Sequence, residues 1–156
     1  MALSVWALFL SVNSFAEEFG HTVSLARSGA GGMYVSAQIA GVEADFLVDT
    51  GADLVTVTEK LFNRIKKTGE VREVRRVAAR MANNRLQVMT VYEVTELTLG
   101  GNCELGPVEV AVMKGAGRNL LGLSALSRGA PFTLSIAPPT LVLDACPGDM
   151  RVVSTQ

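Results

Sequence analysis

The sequence of 156 residues holds a single histidine, His21. A zinc site built on a histidine pair is therefore excluded, and no Ser-His triad has support elsewhere in the chain. His21 stands near the start of a domain, where a lone histidine reads as a surface residue. An excess of charge of one sign is also missing: 14 Lys and Arg face 15 Asp and Glu, for a net charge of −1. Without a basic excess, nucleic acid is not an expected partner. The one local cluster, Arg72, Arg75, Arg76 and Arg80, is interrupted by Glu73 and has no aromatic residue within it. It reads as a solvated strand face, the alternative being an anion-binding patch. No apolar run is long enough to span a bilayer, so no stable membrane span is expected; the longest, Ala2 to Phe15, is too short and carries Ser4, Ser11, Asn13 and Ser14.

That N-terminal run has another use. Small residues at Ser14 and Ala16 precede Glu17-Glu18, which fits a signal-peptidase site after Ala16, although the usual basic segment before the apolar run is absent. The alternatives are a core strand or helix, or an uncleaved anchor. The expected division is a signal peptide or short apolar segment over 1–16, a linker or N-terminal strand over 17–32, one domain over 33–146 and a tail over 147–156. Export to a periplasmic or secreted location is the expectation. Cysteine is scarce as well: Cys103 and Cys146 allow one intramolecular pairing. In an oxidising compartment that bridge closes a loop of about 43 residues; in a reducing one the pair reads as two buried thiols.

What the chain does have is a succession of short alternating segments with glycine turns. Met33 to Ile39 alternates, Ala40-Gly41 turns, and Ala44 to Val48 is apolar apart from Asp45. Val55 to Val57 is a further strand. Thr58 is placed to cap a brief helix over Glu59 to Ile65, with Gly69 beyond its end. Val71 to Ala79 and Leu86 to Leu99 read as two long strands, and Asn83-Asn84 between them as the tip of a hairpin, since asparagine tolerates positive φ. Val108 to Met113 is another strand. Ser124 to Arg128 fits a short helix ending at Gly129, and Phe132 to Ile136 with Leu141 to Leu143 a last hairpin across Pro138-Pro139. The pattern predicts an all-β domain of barrel type, not a helical bundle.

One segment carries chemistry. Phe46-Leu47-Val48-Asp49-Thr50-Gly51-Ala52-Asp53 sets an acid at the end of a buried apolar strand. A carboxylate there is costly to desolvate unless it is paired, hydrogen-bonded or functional. Thr50 adds a hydroxyl on a stiff β-branched body, Gly51 permits close backbone approach, and Asp53 supplies a second acid.

This segment resembles the active-site loop of retropepsin-like aspartic proteases: apolar residues, then Asp-Thr-Gly-Ala and Asp or Ser. The family also has an apolar-apolar-Gly triplet, which packs beside the Asp loop and leads into a short helix; Leu120-Leu121-Gly122 followed by Leu123 to Leu126 matches it. Met81 to Arg85 falls where the family has its flap. The resemblance covers about Met33 to Asp144 and is especially close to bacterial exported members, which also carry a Cys near the chain end. It implies a retropepsin-like closed β-barrel with a flap hairpin and one short helix. It implies an aspartic endopeptidase with Asp49, Thr50 and Gly51 as the catalytic set. It places Gly51, Ala52, Asp53, Ala82, Asn83, Asn84 and Leu121 against a peptide or protein substrate, with no cofactor and no metal. Because Asp-Thr-Gly occurs once, and the family's chemistry uses two carboxylates, it implies a homodimer.

Two departures stand out. The family's retroviral members carry an Arg directly after the triplet, bracing the acid at the Asp53 position; here that residue is Leu123, with Arg118 and Arg128 as possible substitutes. The flap tip also lacks the glycine pair often found there. Other motifs fail on spacing: after Gly115-Ala116-Gly117 the next glycine is Gly122, too far for a dinucleotide fingerprint. An aspartyl-phosphate reading fails because position 51 is not acidic. The rival readings are a barrel of the same kind that binds peptides without cutting them, and an Asp49 that merely caps a turn.

Overall fold

The computed structural model describes residues 20–148 apart from 70, 82, 83 and 116. The expected N-terminal segment over 1–16 and the flap-tip residues Ala82 and Asn83 lie outside the described residues.

Alternation of side chains builds most of the molecule. Strand β1 (His21–Ser24) is followed by the two-residue β2 (Ala26–Arg27) and by β3 (Met33–Ile39), whose odd-numbered Val35, Ala37 and Ile39 are buried. Ala40 and Gly41, at φ +46° and +76°, turn the chain into β4 (Val42–Val48). Strand β5 (Val55–Thr58) leads directly into helix α1 (Glu59–Thr68), because the Thr58 hydroxyl accepts from the Leu61 amide and caps the first turn. Leu61, Phe62 and Ile65 form the buried stripe of α1. A long hairpin follows, β6 (Val71–Arg80) and β7 (Leu86–Val94), then β8 (Leu97–Leu99), β9 (Cys103–Glu104) and β10 (Val108–Met113). The two-residue β11 (Leu120–Leu121) precedes α2 (Leu123–Leu126), which continues as a 3₁₀ turn over Ser127–Gly129. The hairpin β12 (Phe132–Ile136) and β13 (Pro139–Leu143) closes the described chain.

The principal sheet has the order β6-β7-β10-β5-β11-β4-β3-β8-β9, with β2 also on β3; a three-stranded sheet has the order β1-β13-β12. Two expectations need correcting. The strand expected over Leu86 to Leu99 is two strands. β7 pairs with β10, whereas β8 pairs with β3, so the chain must change neighbours at Thr95-Glu96. Glu96 spends its carbonyl on the Ala40 amide instead of on a strand partner. The expected closed barrel with one helix is a mostly β structure with two short helices, and among the described residues the ends of the principal sheet, β6 and β9, do not pair.

The two faces of the principal sheet differ. Val35, Phe46, Val55, Val57, Val110, Val94 and Leu121 point to one side and join α1 in the main core. Their sequence neighbours point to the other side, as a period of two requires. There Met89, Val91, Ala111 and Met113 form a smaller buried cluster, against which Leu54, Val77, Ala79 and Met81 pack. Cys103 and Cys146 are joined in a disulfide with a Cα–Cα distance of 5.1 Å, tying β9 to the segment after β13. Among the described residues no helix is long and apolar enough to cross a membrane.

Candidate active site

Asp49 stands at the end of β4, and the backbone around it is held from three directions. Strand β11 runs parallel to β4, with Leu120 opposite Leu47 and Leu121 opposite Val48. The Asp49 amide donates to the Leu121 carbonyl at 3.1 Å, and the Leu47 amide to the Asn119 carbonyl at 2.9 Å. Leu120 also pairs antiparallel with Thr56 of β5, so β11 is wedged between the strands on either side of the Asp-Thr-Gly loop. Within the loop, the Ala52 amide donates to the Asp49 carbonyl at 3.2 Å. The Gly51 amide donates to Asp49 Oδ1 at 2.9 Å, which fixes the carboxylate relative to the loop. Asp49 is half-buried, while Thr50 and Gly51 are exposed.

The triplet locks onto this loop through α2. The Leu123 amide donates to the Ala52 carbonyl at 2.8 Å and the Ser124 amide to the Asp53 carbonyl at 2.9 Å. Ser124 Oγ in turn accepts from the Val55 amide at 3.1 Å. Gly122 is indispensable here: a β-carbon would collide with the Leu54 carbonyl oxygen and lie 2.7 Å from that of Ala52.

Comparison with known proteins accords with this arrangement. Residues 35–128 match the family model described as "gag-polyprotein putative aspartyl protease". The chain belongs to the retropepsin-like aspartyl protease family. A crystal structure of a retropepsin-like aspartic protease from Rickettsia conorii superposes on this family member with a TM-score of 0.59 at 22% identity. The match covers 80% of this chain and 91% of that one, and shows a shared fold. A search of curated proteins finds no match.

The expected site residues divide between the faces. Asp49, Thr50, Gly51, Ala52 and Asp53 form one continuous loop. Leu121, expected against substrate, is fully buried in the main core at 0% exposure. Its neighbour Leu120 is half-buried and pairs with Leu47 and Thr56 on the side of the sheet that carries Asp49. The period of two moves the side chain next to the glycine into the core, a distinction that a triplet motif does not make.

Neither proposed substitute for the missing arginine reaches Asp53. Arg118 Nη1 donates to the Tyr34 hydroxyl at 3.3 Å, and Arg128 Nε donates to the Leu105 carbonyl at 2.6 Å. Leu123, 38% exposed, occupies the position after the triplet. Asn119 is a supporting residue that motif reading passed over. Its Oδ1 accepts from the Thr58 amide at 3.1 Å and its Nδ2 donates to the Asp45 carbonyl at 3.2 Å, so one side chain links β4, β5 and the triplet. A polar residue directly before an apolar triplet was the available signal.

The β6–β7 hairpin shares the smaller buried cluster with Leu54, which follows this loop. At its tip the Met81 amide donates to the Arg85 carbonyl and the Asn84 amide to the Met81 carbonyl, each at 2.8 Å. Asn84 takes φ +64°, and its Oδ1 accepts from Arg80 Nη1 at 2.7 Å. At its base Arg72 pairs with Glu93 at 2.9 Å and Arg75 pairs with Glu109 of β10. The Arg75 guanidinium holds the Glu109 carboxyl below its usual range by hydrogen bonding, outweighing a small opposing effect of burial. The four arginines of β6 are exposed, as a solvated strand face requires.

Proposed function

We propose that the protein is an aspartic endopeptidase whose catalytic centre forms between two copies of the chain, each contributing one Asp49. The observation that carries this reading is a loop braced like an active site but left open on one side. Asp49 is fixed by Gly51 and by β11, while Thr50 and Gly51 face solvent. A single Asp-Thr-Gly occurs in the sequence, so the second carboxylate must come from a second chain.

Two carboxylates brought within hydrogen-bond reach cannot both ionise, and so share one proton. The ionised Asp49 takes a proton from a water as its oxygen attacks the scissile carbonyl. The protonated Asp49 donates to the carbonyl oxygen. The Asp49 that took the water's proton then passes it to the amine nitrogen, while the other recovers a proton from a hydroxyl of the tetrahedral intermediate; the C–N bond breaks and the pair returns to one shared proton. The exposed Thr50 residues are placed to meet across the two-fold axis, and Gly51, Ala52 and Asp53 to meet the backbone of an extended peptide. The β6–β7 hairpin serves as the flap, with Asn84 at its tip; main-chain hydrogen bonds hold the substrate as an added strand. The apolar start of the chain and the Cys103–Cys146 bridge support export to an oxidising compartment. A mature protein that still begins at Met1 would refute cleavage after Ala16.

The test is incubation with a mixed peptide library across acidic and neutral pH, beside Asp49→Ala. Cleavage by the wild type, none by Asp49→Ala, and a specific activity that falls on dilution are expected. Cleavage that survives Asp49→Ala defeats the mechanism, and tight binding of peptides recovered uncut by the wild type defeats the enzyme.

A further inference from the structure

Arg118 is exposed on the side of the sheet that carries Asp49, and its surroundings are specific. Strand β4 ends at Val48, directly before Asp49, and Leu47 lies two residues before Asp49 on the same face. Leu47 is flanked in register by Leu120 of β11 and by Tyr34 of β3. From the loop before β11, Arg118 reaches the Tyr34 hydroxyl, so guanidinium and phenol bridge the strands flanking Leu47. Ion pairs among the described residues are Arg72–Glu93, Arg75–Glu109 and Arg76–Glu73; none uses Arg118. A guanidinium has five N–H donors in a planar fork. The contact with Tyr34 fixes its position and leaves donors for a planar anion.

Beyond Tyr34 the same face opens into a cleft of about 440 Å³. Tyr34, the partner of Arg118, lines it together with Arg27 and Asp45. The apolar counterpart lies on the other side of Asp49, in Leu54 and the methionines of the smaller cluster. The face is thus chemically asymmetric along its length.

We propose that Arg118, positioned by Tyr34, is a specificity residue that selects substrates with an aspartate or glutamate close to the scissile bond. The inference rests on the peptidase reading of the same site. Two residues of strand span about 7 Å, so the acidic side chain falls about two or three residues from the bond at Asp49. Arg–carboxylate pairs are bidentate and charge-assisted, which a lysine reproduces in charge but not in geometry.

The experiment compares wild type, Arg118→Met, Arg118→Lys and Arg118→Glu on matched peptides carrying Glu or Gln at each position around the cleaved bond. Cleavage is read as kcat/KM, and binding of the same peptides with a reduced, uncleavable bond is read in parallel. Wild type is expected to prefer Glu at one position by roughly ten- to a hundredfold, the effect of one charge-assisted contact. Arg118→Met should lose that preference while processing the Gln peptide near the wild-type rate. Arg118→Lys should retain part of it, and Arg118→Glu should turn it toward a Lys peptide. Absence of cleavage with a preserved Arg118-dependent binding preference would count against the peptidase reading and in favour of the specificity role. Equal treatment of Glu and Gln by wild type, or a preference unchanged in Arg118→Met, overturns the proposal.

Discussion

Gly122 lies so close to Ala52 that a β-carbon on it would sit 2.7 Å from the Ala52 carbonyl oxygen. The same carbonyl accepts the Leu123 amide, so the contact that excludes a side chain also joins α2 to the Asp49 loop. Gly122→Ala should force these two segments apart. A loss of roughly 1–3 kcal/mol is expected, as for other overpacked sites, together with a fall in peptidase activity larger than the stability loss explains. Urea denaturation monitored beside kcat/KM checks both.

Asn119 braces the two strands that flank the same loop. Asn119→Ala leaves the Thr58 amide and the Asp45 carbonyl without their side-chain partner. The expected cost is roughly 1 kcal/mol, chiefly from the part-buried Thr58 amide, since the Asp45 contact is exposed. Amide hydrogen exchange should rise locally at Thr58 and Leu47; unchanged exchange there would show that Asn119 is dispensable.

Glu109 supplies a pH dependence at the base of the β6–β7 hairpin. Its folded carboxyl is held below its ordinary value by hydrogen bonding to Arg75, while Arg75 is shifted up and stays charged throughout. A depressed carboxyl contributes stability above its unfolded value of about 4.3, and that contribution is lost as pH falls through the folded value. Wild type should therefore exceed Glu109→Gln in urea midpoint at neutral pH, with the two converging in acid. Both groups are solvent-facing, so added salt should shrink the difference. A gap that persists at low pH would point to packing instead of charge.

Reduction of the Cys103–Cys146 bridge releases a loop with a sequence separation of 43. By chain-entropy arguments this costs roughly 4 kcal/mol. The paired Cys103→Ser and Cys146→Ser variant should lower the urea midpoint accordingly, and dithiothreitol should lower wild type but not the variant. Equal stability of oxidised wild type and variant would remove the bridge from the stability of the fold.

Much of this architecture is legible in local chemistry. β3 and β10 fall on the residues expected for them, because alternation over six or seven positions leaves one face to bury. α1 begins where Thr58 caps it but runs to Thr68, since amphipathic spacing continues through Ile65 and Gly69 ends it. The division of Leu86 to Leu99 was hidden, because both halves alternate equally well and only their partners differ. In the site, Asp49 and the triplet stand out as strings, whereas the string does not tell which of the two leucines faces the core; Leu121 does. A motif specifies adjacency, and adjacency along a strand means opposite faces.

Local composition settles which residues carry reactive or conformationally special groups: one Asp-Thr-Gly, one glycine after two leucines, one pair of cysteines. These follow from side-chain chemistry and short-range backbone preference, both written in consecutive residues. The parallel docking of Leu120-Leu121 against β4 and the engagement of Arg118 with Tyr34 depend on segments 73 and 84 positions apart. Their meeting is decided by which faces the whole sheet must bury, an energy that belongs to the assembled core and not to any stretch of the chain.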